Sequence, residues 1–359
     1  TPDKSTTYSA SLVKHIIGAN PAPPSPQVKT LSVEEDGAGQ RLDNYLMRQL
    51  KGVPKTHVYR IIRSGEVRVN KGRASAETRL NAGDVVRLPP VRVSERAEQK
   101  SQSMAAQAGA YVPAKDFPIL FEDDSFLAIN KPAGVAVHGG SGVSFGVIEQ
   151  LRMARPQAKF LELVHRLDRE TSGILLVAKK RSALKNLQDQ FRERETGKTY
   201  LALVLGTWPA NKKVLDKPLH KYLLPGKGGE DGERRVKVVS KDDPDGMPSL
   251  TLVKVREASP SYSLLEVTIK TGRTHQIRVH LASEGMPIVG DDKYGDFEVN
   301  KALARATGPG ALKRMFLHAW RLQCNHPATG ERLELRADLP PELMQFLLEA
   351  MPATPPAPQ

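Results

Sequence analysis

Apolar positions recur along this chain with two different periods, and the change of period divides it. Leu42, Tyr45, Leu46 and Leu50 repeat at helical spacing, as do Val58, Ile61 and Ile62. They predict two short helices, the second closed by Gly65. VRVN (Val67 to Asn70) followed by Lys71-Gly72 predicts a strand and tight turn, and GDVVRL (Gly83 to Leu88) a second short strand. From Phe117 onward, strand-length stretches dominate: ILFEDDSFLAINKP (Ile119 to Pro132), GILLVAK (Gly173 to Lys179), TYLALVLG (Thr199 to Gly206) and YSLLEVTIK (Tyr262 to Lys270). FGVIEQLRMA (Phe145 to Ala154) and SALKNLQDQFRER (Ser182 to Arg194) have helical spacing. Hairpin-like successions outnumber strand–helix alternation. The expected class is therefore α+β: a mixed, largely antiparallel sheet with flanking helices, preceded by a small α/β domain.

Polar and proline-rich stretches set the boundaries. Residues 1–28, ending in NPAPPSPQ, read as a disordered tail, and so do residues 352–359. Residues 91–115 show no apolar periodicity and read as a linker between domains at 29–90 and 116–351. Leu224 to Met247, rich in Gly, Lys and Asp, is expected to be a long exposed loop enclosing one strand.

Charge adds a partner to this picture. The 359 residues carry a formal net charge of +13, which points to a polyanion such as nucleic acid. Arg41 to Leu88 alone holds eleven basic and four acidic residues, more than half of that surplus. Lys55, His57, Arg60 and Arg63 fall on the outward parts of the second predicted helix, where phosphate contacts explain them better than an ordinary charged face does. Apolar runs are too short to span a membrane, and the start lacks a signal-peptide pattern. The single cysteine, Cys324, rules out an intramolecular disulfide and suits a reducing cytosol. No long heptad seam is present, so a monomer is expected.

The chemistry concentrates in HRLDRETSGILLVAKK (His165 to Lys180), where a charge cluster abuts an apolar run. A hydrolase triad of His165, Asp168 and Ser172 is disfavoured, because Ser172 lacks the Gly-x-Ser-x-Gly elbow. His275 and His280 have neither the register nor the glutamate of a zinc site, so no metal is expected. VAVHGGSGVSFG (Val135 to Gly146) lacks the Gly-Lys-Ser/Thr ending of a P-loop, so no nucleotide cofactor is expected. Glu170 cannot bracket a bond opposite Asp168, which leaves a lone carboxylate. One carboxylate suffices to attack or support a sugar carbon whose leaving group departs as a stabilised anion, as uracil can. Arg278 is the candidate to keep it ionised and aimed, if Thr274 caps a helix ending near Gly285. Spacing alone does not separate this from a surface Asp–Arg pair.

At these residues the chain resembles the RluA-type pseudouridine synthases. The resemblance runs through NKPAGVAVHGG (Asn130 to Gly140), HRLDRETSGILLVAKK, KTYLALVLG (Lys198 to Gly206), TGRTHQIRVHLA (Thr271 to Ala282), PIVGDDKYGD (Pro287 to Asp296) and MFLHAWRL (Met315 to Leu322). RLDNYLMRQLKGVPKTHVYRIIRSGEVRVNKGR (Arg41 to Arg73) looks like the S4 RNA-binding module that many members carry. The resemblance implies a cofactor-free isomerase that converts several uridines of large-subunit ribosomal RNA in the bacterial cytoplasm. It further implies Asp168 as the catalytic aspartate, Arg278 as its ion-pair partner, Tyr200 against the target base and Leu317 as its apolar floor. Arg166, Arg169, Arg273 and His275 would face the RNA around an extruded nucleotide. A covalent bond from Asp168 to C1′ and abstraction of a proton to give a glycal both remain open. The rival readings are a non-catalytic ribosome-assembly factor and a nucleoside hydrolase.

Overall fold

The computed structural model describes residues 27–50, 53, 55–91, 117–139, 146–226 and 232–352. The tails expected at 1–28 and 352–359 and the linker expected at 91–115 fall almost wholly outside these residues, as does the Lys55 side chain. The chain divides into two compact units, Thr1–Gln99 and Lys100–Gln359.

In the first unit, α1 (Leu42–Gln49) and α2 (Lys55–Arg63) pack on four short antiparallel strands: β1 (Lys29–Ser32), β2 (Arg68–Val69), β3 (Gly72–Arg73) and β4 (Val85–Leu88). The apolar stripes foreseen in the sequence are the core, in which Leu42, Tyr45, Leu46, Val58, Ile61 and Ile62 meet Val67, Leu80, Val86 and Leu88. The tight turn sits one residue earlier than expected. Asn70 and Lys71 take the two left-handed positions (φ 49° and 68°), and Gly72 already belongs to β3. A two-residue hairpin loop needs positive φ at both central residues, and Asn tolerates it well.

The second unit is built on β5 (Ile119–Glu122), β6 (Phe126–Lys131), α3 (Val147–Ala154), β7 (Glu162–Leu163), β8 (Ser172–Ala178), α4 (Arg181–Arg192), β9 (Gly197–Leu205) and β10 (Val214–Asp216). It continues through β11 (Leu219–Leu224), β12 (Glu233–Val238), β13 (Leu250–Ala258), β14 (Tyr262–Ile269), α5 (Gln276–Ser283), α6 (Phe297–Arg305), β15 (Leu317–Asn325), β16 (Arg332–Arg336) and α7 (Pro341–Ala350). Ten of these strands form one sheet in the order β10-β13-β14-β9-β15-β8-β6-β5, with β7 on β8 and β16 on β15. Only β8 and β15 run parallel, pairing Ser172 with His318 and Gly173 with Ala319. The sheet is thus mixed and largely antiparallel, as its hairpin-like spacing predicts.

Both faces of its centre are covered, which is why β8 reads as an unbroken apolar run. Ile174, Leu176 and Ala178 join one cluster with Leu184 and Leu187 of α4. Leu175 and Val177 join the other, with Ile148 and Leu151 of α3, Ile277 and Leu281 of α5, and Phe346 of α7. β11 and β12 form a separate two-stranded ribbon. The loop expected from Leu224 to Met247 does enclose one strand, but that strand has a partner immediately before it.

Candidate active site

Asp168 lies on the loop that feeds β8, where Leu167 is buried in the core and the Asp168 side chain stays 29 % exposed. The loop is tied down from below. Lys131, fully buried at the end of β6, donates to the carbonyls of Pro132 (2.7 Å), Val135 (2.8 Å) and Arg169 (3.0 Å). Burial brings the Lys131 ammonium down to about 7, against the pull of the Glu170 carboxylate.

Arg278 reaches Asp168 from α5. The helix begins differently from the expected Thr274 cap. His275 occupies the cap in the left-handed region (φ 53°) with no side-chain capping bond, so Thr274 lies outside the helix. Glu284 and Gly285 (φ +75°) close it where expected, with the Gly285 N–H on the Ala282 carbonyl. α5 buries every residue from Gln276 to Leu281. Arg278 is therefore a guanidinium inside the protein, and all of its charge must be answered there. Its Nε donates to Asp291 Oδ2 (2.8 Å), and its Nη2 to Asp291 Oδ1 (2.7 Å) and Asp292 Oδ1 (3.2 Å). Nη1 is left for Asp168 Oδ2, at 3.1 Å. The Tyr294 ring lies under the guanidinium at 5.2 Å. Burial works against the charge of Arg278, but Asp291 and Asp168 together raise its pKa further above the ordinary arginine value.

The other faces of the site come from the sheet and the helix cap. Tyr200 on β9 and Leu317 at the start of β15 are both buried and line the same cleft as Asp168, a space of about 1500 Å³. Burial, and then the Asp168 carboxylate, push the Tyr200 phenol upward, so it stays a neutral hydroxyl at physiological pH. His275 turns Nε2 to within 3.9 Å of Asp168 Oδ2, while its Nδ1 meets the Tyr294 hydroxyl at 2.7 Å. That hydroxyl also accepts the Val236 N–H (3.0 Å), which ties His275 to the segment carrying Val236. Burial lowers the pKa of His275 despite Asp168, which keeps the ring neutral.

Arg166 and Arg169 are exposed and Arg273 half-buried, all three on the cleft wall. Arg60 and Arg63 are exposed on α2 of the first unit. The alternatives weighed in the sequence find other uses. Ser172 bonds to His318 Nδ1 (2.7 Å) and Arg314 Nη2 (2.9 Å) rather than to His165. His165 accepts the Leu176 N–H (3.0 Å) and stacks on Phe191. His280 is buried between Thr251 Oγ1 (2.7 Å) and the Lys217 carbonyl (2.9 Å).

The pattern of the RNA pseudouridylate synthase family matches residues 125–283, and that of the S4 domain residues 40–86. The chain is 51% identical over 323 residues to the ribosomal large subunit pseudouridine synthase C of Salmonella typhimurium, covering 90% of this chain and 97% of that protein. The same protein of Escherichia coli gives the same figures. The chain belongs to the RNA pseudouridylate synthase family. Among solved structures, the synthase resembles human RNA Pseudouridylate Synthase Domain Containing 4, with a TM-score of 0.53 at 27% identity, covering 70% of this chain and 96% of that one.

Three features of the synthase's site escape the sequence reading. Asp291, Asp292 and Tyr294 lie within PIVGDDKYGD, which the sequence supplies only as a stretch of resemblance. The available signal is physical: an arginine in the middle of a buried helix needs more than one carboxylate, and Asp291-Asp292 is the nearest acidic pair downstream. Lys131 gives no signal, because a lysine ending a strand normally points to solvent. The third is the ribbon. Lys221, Tyr222, Leu223, Arg234, Arg235 and Val236 all line the cleft. Of the stretch from Leu224 to Met247, Arg234, Arg235 and Val236 thus line the cleft: sequence composition marks a loop but does not say which wall it forms.

Proposed function

We propose that this synthase converts specific uridines of large-subunit ribosomal RNA to pseudouridine, in the cytoplasm of a bacterium and as a monomer, with Asp168 as its catalytic group. The observation that carries the reading is the carboxylate of Asp168 at the cleft mouth. It is aimed by one guanidinium nitrogen of a buried arginine whose other nitrogens are held by Asp291 and Asp292. The names of the relatives from Salmonella and Escherichia supply the RNA class.

The target base must leave its stack to reach that carboxylate, at a cost of a few kcal/mol. Arg166, Arg169 and Arg273 meet the displaced phosphates, and Tyr200 and Leu317 offer an apolar face to the uracil. Asp168 assists cleavage of the C1′–N1 bond. The uracil stays trapped, rotates and rejoins C1′ through C5, so that C5 loses its proton and N1 gains one. Arg278 holds Asp168 in position during both half-reactions. Lys55, Arg60 and Arg63 contribute affinity that is independent of the chemistry.

The deciding experiment uses a transcript carrying tritium at uridine C5. The wild-type protein should release tritium to water without free base, whereas Asp168→Asn should release none and bind the RNA with nearly unchanged affinity. Free labelled uracil would make the protein a hydrolase. Normal turnover by Asp168→Asn would remove Asp168 from the chemistry.

A further inference from the structure

The β11–β12 ribbon stands apart from the main sheet, and its two ends face different surroundings. Directly opposed residues of an antiparallel pair share a face, as do alternate residues along a strand. Leu219, Val236 and Val238 therefore lie on one face, and they pack at its base against Val279 of α5. Lys221, Leu223 and Arg234 continue the same face outward, Leu223 opposite Arg234, and all three line the cleft. Leu223 is 65 % exposed. Neither Lys221 nor Arg234 has an acidic partner among the described residues, whereas Arg235, on the opposite face beside Tyr222, reaches the Lys293 carbonyl.

We propose that this face holds the RNA strand beside the target nucleotide, with Leu223 filling the stack that the flipped uridine vacates. The inference rests on the RNA reading above. An exposed leucine framed by two unpaired cations suits an occupant with apolar ring faces and a phosphate chain. A protein partner would call for acidic groups to match Lys221 and Arg234, whereas a flipped-out nucleotide leaves both a gap between bases and bare phosphates.

The ribbon is also wired to the reacting carboxylate. Arg235 Nη1 donates to the Lys293 carbonyl (2.7 Å), Lys293 Nζ pairs with Glu233 (2.8 Å), and the Val236 N–H holds the Tyr294 hydroxyl. Tyr294 in turn sets His275 beside Asp168 and lies on the turn that carries Asp291. RNA seated on the ribbon bears on the elements that aim Asp168. Leu223 is thus a positioning residue for the extruded base.

The test uses full-length protein and a short stem–loop that the wild type converts, with 2-aminopurine placed next to the converted uridine. Single-turnover tritium release and the 2-aminopurine signal on binding are measured at saturating enzyme. Leu223→Ala is expected to leave the melting temperature within error. It should lower the single-turnover rate about ten-fold and diminish the unstacking signal in parallel, and Leu223→Met should restore both. Lys221→Ala and Arg234→Ala should each reduce the slope of log K against log salt by about 0.7. Wild-type rate and signal in Leu223→Ala, with unchanged slopes in the other two, would overturn the proposal while leaving the isomerase intact. Failure of the wild type to convert any uridine would instead bring down the RNA reading and this inference with it.

Discussion

Arg278 is the residue on which the site turns, because its fork is divided between structure and chemistry. Asp291 takes two of its nitrogens and receives the Lys293 and Tyr294 N–H groups (2.9 and 3.1 Å). Burial opposes ionisation of Asp291, but Arg278 and these N–H donors hold its pKa below the usual carboxylate range. A lysine cannot reproduce this arrangement, since an ammonium is a point charge without a planar fork. Arg278→Lys should lower the single-turnover rate at least ~100-fold while RNA affinity changes little. A rate within a few-fold of wild type would show that the fork is dispensable. Asp291→Asn leaves a buried guanidinium short of a countercharge and should cost about 3 kcal/mol in denaturant unfolding. Asp168→Asn, by contrast, alters a partly exposed group and should leave stability near that of wild type. These two carboxylates touch the same arginine, and unfolding measurements alone should tell them apart.

Among elements, the parallel pairing of β8 with β15 holds the halves of the sheet together next to the site. Gly173 permits it: at φ +114°, a Cβ there would lie 2.2 Å from the Ala319 carbonyl oxygen. Gly173→Ala should therefore destabilise the second unit by several kcal/mol and lower the melting temperature markedly; a stable variant would mean that β15 can move aside. Above this pairing Ser172 meets His318, whose Nε2 donates to the Ala337 carbonyl (2.7 Å). Burial brings His318 down to about 4 and His165 to about 3. Both folded values lie below the unfolded value of about 6.5, so below that pH the unfolded chain binds protons that the folded chain refuses. Stability should be fully present above pH ~6.5 and fall on acidification by up to ~2.7 kcal/mol per pH unit from these two rings. His318→Gln should remove about half of that slope between pH 6 and 4. An unaltered slope would place the acid sensitivity elsewhere.

For the whole molecule, the surplus of basic residues is shared between two units with different duties. The first unit packs its apolar stripes inward and leaves Arg60 and Arg63 exposed, although Arg60 lies 3.4 Å from Glu66. Replacing Lys55, Arg60 and Arg63 together by Ala should weaken RNA binding and flatten its salt dependence by ~0.7–0.9 log units for each phosphate no longer neutralised. The turnover rate at saturating RNA should hardly change, because these residues belong to the first unit and the reacting groups to the second. An unchanged slope would put the RNA on another surface. The second unit places several cations on the cleft wall, where Arg166, Arg169 and Arg273 stand with the Asp168 carboxylate.

Local order along the chain determined a good deal of this protein. Periodicity announces α1, α2, β8, β9 and β14, because each buries a face whose spacing is written in consecutive residues. The crowding of charge before Ile174 marks the loop of Asp168, and the cluster of basic residues marks a polyanion-binding module. Only the tertiary structure decided which distant groups meet. Asp168 and Arg278 stand far apart in sequence, and nothing local says that Asp291 binds the same guanidinium or that Lys131 turns inward to hold the Arg169 carbonyl. The left-handed cap at His275 also escaped, since the bond from Nδ1 to Tyr294 that accompanies it comes from another segment. The ribbon of β11 and β12 was legible as polar chain but not as a wall of the cleft. Such contacts depend on where the sheet brings its edges and loops together, and that is settled by packing over the whole unit rather than by any neighbouring residue.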